Sequence, residues 1–292
     1  MTTPTDSNVH ALAIDGTFDD CQALVKDMFN DADFRHETGL AGVNSINWAR
    51  VMAQTVYYFT ASAQLGGPDK EVAFSVPTGN FGDIFAGYVA KQMGLPIAQL
   101  MIATNINDIL ARVLKTGTYE IGDVVASTSP SMDIQVSSNF ERLLFEATGR
   151  NAAEVCRLMR ELTEKRKFSL SSNVLDVIRG SFAAERVDEV ATAKIIKDMF
   201  EKDGMLLDPH TAVGYGAALR SDLPVSTPIV TLATAHPAKF PASVEKACNR
   251  QAEEIIDTPE RVKVMMKQDE TYETYPNDLA QVQDFIRQKK TD

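Results

Sequence analysis

The sequence has few cysteines, and they do not form a recognisable site. Cys21, Cys156 and Cys248 are odd in number and far apart along the chain. This spacing argues against a disulfide framework and against the paired ligands of a structural zinc site. We therefore expect buried thiols in a reducing compartment.

Clusters of basic residues and long apolar runs are also lacking. The chain carries 29 basic and 40 acidic residues, a formal net charge of -11, and no dense group of Lys and Arg that would follow a nucleic-acid backbone. No apolar run approaches membrane-spanning length, and the first eight residues lack the basic and apolar regions of a targeting signal. The sequence predicts a soluble, cytoplasmic protein without a nucleic-acid or membrane partner.

Short apolar runs alternate with stretches of helical period along the 292 residues. This alternation favours a mostly parallel sheet flanked by helices, so the predicted fold class is α/β. The predicted strands are 9–14, 71–76, 99–104 and 229–234. The predicted helices are 21–29, with an aspartate of 16–20 as its cap, then 44–63, much of 139–200, and 279–286.

A glycine-containing turn joins a predicted strand to a predicted helix within residues 74–91. Gly79 and Gly82 let the backbone turn sharply, and N–H groups together with the helix dipole suit a phosphate there. The same spacing also occurs where a helix simply packs closely on a sheet. It matches neither the P-loop nor the dinucleotide pattern. Asp83 would repel a phosphate unless it turns away to cap helix amides or to meet another donor.

Seven segments in order together resemble threonine synthase, a pyridoxal phosphate enzyme of the tryptophan-synthase-like fold group. They cover nearly the whole chain: GTFDDC (16–21), VNSINWAR (43–50), SVPTGNFGD (75–83), ATNINDIL (103–110), SPSMDIQVSSNFER (129–142), LDPHTAVG (207–214) and ATAHPAKF (233–240).

The resemblance implies a cofactor, a substrate and a set of contacts. A threonine synthase converts O-phospho-L-homoserine and water into L-threonine and phosphate with pyridoxal 5'-phosphate as cofactor. Thr234 matches the position whose hydroxyl meets the ring nitrogen, although a strand-end threonine that caps a turn is the alternative. The residues that match the cofactor-phosphate contacts are Gly79, Asn80, Phe81, Gly82 and Asp83.

The family's Schiff-base lysine would lie before the region that this chain covers. We therefore expect the N-terminal domain and this lysine to be absent, with Met1 an internal methionine, and we assign no catalytic residue. Lys239 matches a different family position and is more simply a solvated charge. The expected organisation is part of a smaller domain at 1–67, a large cofactor-binding domain at 68–256, and a C-terminal segment at 257–292.

Two polar groups are candidates for binding the substrate. The first opens a predicted helix, where Asn44, Ser45, Asn47 and Arg50 could bind an anion. The alternative is that Asn44 or Ser45 caps the helix and that Arg50 is an exposed charge. The second is Asn139 with Arg142, for which a cap and a surface charge are the alternative. His210 follows Asp208 and Pro209, which fit an N-cap and a first helical position. It is therefore expected to be a structural histidine at a helix start and not an acid or base.

Other function classes stay open at this point. A serine or threonine dehydratase shares the fold and the type of turn, and a phosphate-binding protein without catalysis would also fit a chain that lacks the lysine. No metal ligand set is expected, and the oligomeric state is not indicated.

Overall fold

The computed structural model describes residues 2–4 and 6–290. Met1, on which the expected truncation rests, lies outside the described residues. The strands are β1 (Leu12–Asp15), β2 (Val72–Pro77), β3 (Ile97–Thr104), β4 (Thr118–Glu120), β5 (Lys167–Ser169), β6 (Phe182–Arg186), β7 (Ile229–Thr231) and β8 (Glu273–Pro276).

The helices are α1 (Phe18–Asn30), α2 (Ala32–Thr38), α3 (Trp48–Gln64), α4 (Gly82–Gln92), α5 (Ile109–Thr116), α6 (Phe140–Ala147), α7 (Ala152–Lys165), α8 (Ser172–Arg179), α9 (Glu189–Asp203), α10 (Pro209–Ala218), α11 (Pro241–Cys248), α12 (Ala252–Ile255), α13 (Glu260–Met265) and α14 (Leu279–Lys290). Short 3₁₀ helices occupy Pro130–Met132 and Pro237–Lys239.

The backbone divides into two compact units. The larger unit is residues 43–257, and the smaller unit combines the two ends of the chain, up to residue 42 and from residue 258. The expected boundary after residue 256 lies next to this division, whereas α3, placed by the sequence in the 1–67 segment, lies within the larger unit. The assignment of functional domains stays a prediction.

The larger unit is built on a parallel sheet in the order β6-β3-β2-β7. Side chains alternate across it, as the period of a strand requires. Leu100 and Ile102 enter the main apolar cluster with α4, α5 and α6. Met101 and Ala103 point to the other side and pack with Val213 and Ala217 of α10. Both faces of the sheet are therefore covered, which confirms the predicted α/β class.

Two details of the larger unit differ from expectation. The strand expected at 229–234 ends at Thr231, because it pairs with β2 only between Ala73 and Ser75. It is half-buried and lies at the edge of the sheet. The strands β4 and β5, which were not predicted, form a small antiparallel pair. The region 139–200 is mainly helical, as predicted, with β5 and β6 inserted.

The smaller unit contains β1 paired in parallel with β8, together with α1, α2, α13 and α14. Its core is formed by Leu24, Met28, Phe34 and Val282. The cap of α1 differs from the expected aspartate: Thr17 is the N-cap, and its side chain and that of Asp20 bond each other's backbone N–H groups in a capping box. The C-terminal helix is confirmed as α14.

The three cysteines differ in their exposure. Cys248 is buried, whereas Cys21 is half-buried and Cys156 is exposed, so the expectation of buried thiols is correct only for Cys248.

Among the described residues, no helix combines the length and the apolar character needed to cross a membrane.

Candidate cofactor and substrate site

The strand–turn–helix predicted at 74–91 is present: β2 ends at Pro77 and α4 begins at Gly82. Phe81 occupies the N-cap position of α4 with φ of 64°, and its side chain forms no capping hydrogen bond. Its ring is instead buried against Phe140 and Phe182, at centroid distances of 5.4 and 5.7 Å. The aromatic ring thus anchors the turn in the core. Any ligand contact by this residue falls to its backbone.

Both glycines of the turn lie where a side chain would collide with a neighbouring segment. A Cβ at Gly79 would be 2.6 Å from the carbonyl oxygen of Ser131, and a Cβ at Gly82 would be 2.8 Å from Cβ of Ser45. Real Cβ atoms essentially never come this close to other heavy atoms, so a side chain at either position would displace the Ser131 backbone or Ser45. The turn therefore packs closely against Ser45 on one side and against Ser131 of the 3₁₀ helix at 130–132 on the other.

The carbonyl groups of the turn are held by the segment that precedes α6. Ser137 Oγ donates to the Gly79 carbonyl at 2.7 Å, and Asn139 Nδ2 donates to the Asn80 carbonyl at 2.9 Å. The backbone N–H of Asn139 donates to the same Asn80 oxygen at 3.0 Å. These bonds fix the orientation of the peptide groups. A turn held in this way is pre-organised.

The side chain of Asp83 meets another donor, which is one of the two ways in which this carboxylate was expected to avoid repelling a phosphate at the turn. Its partner is a donor that the sequence did not reveal: the Tyr58 hydroxyl of α3 donates to the Asp83 carbonyl oxygen at 2.8 Å and lies 3.2 Å from its carboxylate Oδ1. Burial raises the pKa of the Asp83 carboxyl to about 6, and the Tyr58 hydrogen bond opposes part of this rise. Asp83 is not a helix cap, and its carboxylate links α4 to α3.

Asn139 and Arg142 join α6 to the start of α3. Arg142 Nε donates to Asn139 Oδ1 at 2.9 Å, and its Nη2 donates to the carbonyl of Ile46 at 3.1 Å. The guanidinium also lies 5.6 Å from the ring centroid of Trp48. Arg142 is thus not a free surface charge, which removes the simpler alternative for this pair.

At the start of α3, two asparagine side chains accept hydrogen bonds from backbone N–H groups. Asn44 Oδ1 accepts from Ile46 N at 3.0 Å, and Asn47 is the N-cap of α3, accepting from Ala49 N at 2.9 Å. The capping alternative, expected for Asn44 or Ser45, therefore applies to Asn47. Ser45 instead lies against Gly82, and the side chain of Arg50 is exposed.

Thr234 lies three residues beyond the end of β7 and is exposed. Because β7 runs parallel to β2, the chain leaves both strands at the same edge of the sheet, where the turn at 78–81 also lies. The strand predicted to end at Thr234 therefore ends three residues earlier, and Thr234 follows it beyond the carboxyl end of β7. Ligands of open α/β sheets bind at this edge.

A polar cluster that the sequence left without a role supports the loop before the 3₁₀ helix at 130–132. Asp133 accepts from the side-chain amides of Asn105 and Asn107 at 2.8 and 2.9 Å and from the Ser127 hydroxyl at 2.6 Å. The hydroxyl-rich segment 127–133 contains this 3₁₀ helix, and buried amides fix its shape. The described residues contain no group of three His, Cys, Asp or Glu side chains that could hold a metal ion.

The sequence of the chain is similar to those of known threonine synthases. A family profile described as "Threonine synthase, C-terminal" matches residues 211–286. The chain is 49% identical over 288 residues to the threonine synthase of Pseudomonas aeruginosa, and the match covers 99% of this chain and 61% of the relative. It is 47% identical over 266 residues to that of Saccharomyces cerevisiae, covering 85% of this chain and 52% of the relative.

Solved structures agree. The fold matches the pyridoxal phosphate-bound threonine synthase from Brucella melitensis with a TM-score of 0.88 and 53% identity, covering 100% of this chain and 62% of that one. The yeast threonine synthase matches with a TM-score of 0.85 and 41% identity, covering 100% and 61%. The resemblance to the threonine synthase family is confirmed. The chain spans between about half and about three fifths of the length of these threonine synthases.

Proposed function

We propose that this chain supplies the cofactor-phosphate cradle and much of the substrate-binding wall of a threonine synthase, which converts O-phospho-L-homoserine and water into L-threonine and phosphate. The observation that carries the proposal is the meeting of three segments at Gly82. A Cβ there would touch Ser45 at 2.8 Å and lie 3.6 Å from Asn139 Nδ2. Gly82, which the resemblance implies for the cofactor, is thus a neighbour of Ser45 and Asn139, which are candidates for the substrate because of their polar side chains.

The turn fits the phosphate of pyridoxal 5'-phosphate. The absence of side chains at Gly79 and Gly82 permits close backbone approach, and the start of α4 carries no side-chain cap. The positive end of the helix dipole favours an anion at this position. In this assignment Gly79, Asn80, Phe81 and Gly82 contribute backbone. Asp83 contributes indirectly, because its carboxylate is drawn towards Tyr58 and away from the anion.

Thr234 is assigned to the cofactor ring. Its hydroxyl is neutral, so it can hydrogen-bond the ring nitrogen without strongly favouring the protonated ring. When bound, the cofactor supplies an electron sink that allows protons to leave carbon atoms of the substrate. The chain's own part is to hold the ring and phosphate in a fixed orientation.

The substrate phosphate is assigned to the junction of α3 and α6. Arg142 already uses Nε and Nη2 in protein contacts, and among the described residues no acceptor is paired with its Nη1. That nitrogen, the Ser45 hydroxyl and the exposed Arg50 are suitable donors to an anion. Asn44, Asn47 and Asn139 shape this wall, since their side-chain oxygens are engaged in local hydrogen bonds.

The covalent lysine of the reaction is expected to come from a part of the enzyme that precedes this region. Lys239 is exposed in the 3₁₀ helix at 237–239 and receives no catalytic role. We infer a cytoplasmic location and a small-molecule substrate, and we propose no nucleic-acid partner.

Titration with pyridoxal phosphate tests the cradle. We expect Gly82→Ala to weaken cofactor affinity by about tenfold or more, because the added methyl displaces Ser45 or the turn. Gly122→Ala is the matched control, since the nearest atom to its Cβ lies at 3.7 Å. Equal affinities in the two variants, with both folded, would contradict the assignment.

A second experiment tests the activity. The chain is assayed for phosphate release from O-phospho-L-homoserine, alone and joined to the N-terminal part of the Pseudomonas aeruginosa relative. Borohydride reduction followed by mass spectrometry locates any lysine that bonds the cofactor. We expect no turnover by the chain alone and phosphate release by the joined protein. A single labelled lysine in this chain, with turnover, would overturn the division of labour. Deamination of threonine without phosphate release would indicate a dehydratase instead.

A further inference from the structure

A buried carboxylate–imidazole pair lies at the start of α10. Asp208 is the N-cap of this helix, and its Oδ1 lies 2.9 Å from Nδ1 of His210. Both side chains are almost wholly buried, at 0% and 5% exposure. Asp208 Oδ2 also accepts from the Thr211 hydroxyl. The sequence predicted a structural histidine behind an aspartate cap, but it did not indicate what the other ring nitrogen does.

The other ring nitrogen of His210 accepts a hydrogen bond from a distant loop. The backbone N–H of Ser131 donates to Nε2 at 3.3 Å. An N–H can donate only to an unprotonated ring nitrogen, so the proton of a neutral imidazole must lie on Nδ1, where it donates to Asp208. The carboxylate therefore selects the tautomer that can hold Ser131.

Burial alone would raise the pKa of the Asp208 carboxyl, but hydrogen bonds from His210 and Thr211 outweigh it and the pKa is lower than usual. The carboxylate stays ionised as the ring's acceptor. The imidazole ring of His210 also packs against the ring of Phe240, at a centroid distance of 4.7 Å and an interplanar angle of 51°.

The residue that His210 holds, Ser131, also lies against the glycine turn. Ser131 donates to His210 through its N–H, and its carbonyl oxygen lies 2.6 Å from the position of a Cβ on Gly79. The same loop is held at Thr128 N by Glu189 at 2.9 Å and at Ser127 by Asp133. Glu189 of α9 and His210 of α10 thus hold this loop from outside, and Asp133 holds it from within.

We propose that His210, oriented by Asp208, is a positioning residue that holds the Ser131 loop against Gly79 and so sets the shape of the phosphate cradle. The proposal deepens the proposed function and rests on it for the identity of the anion. His210 does not touch the ligand in this assignment. Its effect passes through one backbone hydrogen bond.

The direct test is nitrogen NMR of the histidine rings, with the His210 signals assigned by their loss in a variant. We expect an Nδ1–H, Nε2-unprotonated ring and slow hydrogen exchange at the Ser131 amide. His210→Leu removes the acceptor, and we expect faster exchange at Ser131 and about tenfold weaker pyridoxal phosphate binding, as for loss of one well-placed hydrogen bond. His210→Gln keeps an acceptor at the ε position and should restore most of both.

His36→Gln is the control, because His36 is exposed in the smaller unit and should change neither property. A ring protonated on Nε2, or unchanged Ser131 exchange and cofactor affinity in His210→Leu, would overturn the proposal. If His210→Leu does not fold, the ring tautomer and His210→Gln still decide. If the parent chain binds no pyridoxal phosphate, the proposed function fails, while the tautomer and the Ser131 amide still decide whether His210 holds the loop.

Discussion

Asp83 shows how burial decides the charge of a carboxyl group at the turn. The raised pKa, about 6, means that the folded protein binds the proton more tightly than the unfolded chain does. Stability from this group is therefore fully present below the unfolded value of about 4 and decreases as pH rises towards 6. Above that pH, a buried carboxylate has only the Tyr58 hydroxyl as its described side-chain donor.

We expect Asp83→Asn to become more stabilising relative to the parent between pH 4 and pH 7. The amide retains an acceptor for Tyr58 but carries no charge to desolvate. The shift corresponds to at most about 3 kcal/mol in the free energy of unfolding. Urea unfolding of both proteins at the two pH values measures it, with Asp222→Asn, at an exposed position, as control. A difference that does not change with pH would show that Asp83 is not the titrating group.

At the scale of elements, the first turn of α6 connects the glycine turn to α3. Asn139 occupies the N-cap position without capping, because its amide nitrogen donates to Asn80 and its oxygen accepts from Arg142. The first turn of α6 therefore has no side-chain cap from Asn139, and this residue instead connects α6 to Asn80, which is far away in the sequence.

Comparison of two asparagines tests this connection. Asn151 occupies the same position in α7 and does cap, accepting from Glu154 N at 3.1 Å. We expect both Asn139→Ala and Asn151→Ala to lower the free energy of unfolding by about 1 kcal/mol. Only Asn139→Ala should also weaken pyridoxal phosphate binding, measured by titration. Equal cofactor affinity in the two variants would indicate that the turn keeps its shape without Asn139.

The elements that sequence reasoning found are those whose signals are local. The strand before Gly79 and the helix after Gly82 follow from an apolar run, two glycines and a helical period. The end of β7 was misplaced because the apolar run 229–234 continues past the last pairing with β2 at Thr231. Such an end is set by a partner strand 150 or so residues earlier, which no local pattern contains.

Site residues divide in the same way. Asp208 was predicted as an N-cap from its local position, and it is one, but the contact of its Oδ1 with His210 Nδ1 was not predicted. The contacts of Asp83 with Tyr58 and of His210 with Ser131 span 25 and 79 residues, and only the fold reveals them. The sequence therefore predicted the strand, turn and helix of the proposed cradle, but not the contacts that hold them.

At the scale of the whole molecule, the two compact units have separate apolar cores. Phe34 is buried in the cluster of the smaller unit, and Phe168 is buried in the main cluster of the larger unit, stacked on Tyr119 at 5.0 Å. Units with separate cores can unfold separately, and hydrogen exchange then reports a different free energy for each. The smaller unit depends on residues from both chain ends, because β1 pairs with β8.

We expect Phe34→Ala and Phe168→Ala to act on different sets of amides. Each removes a buried aromatic ring, which costs about 3 to 5 kcal/mol. Phe34→Ala should accelerate hydrogen exchange in β1 and α1 while β2 and β3 remain protected. Phe168→Ala should accelerate exchange in β4, β5 and the sheet of the larger unit, with little change in α1. Because the proposed cofactor cradle lies wholly in the larger unit, only Phe168→Ala should reduce pyridoxal phosphate binding in proportion to its loss of protection. If both variants accelerate exchange throughout the chain, the two units unfold as one, and the cradle depends on the smaller unit as well.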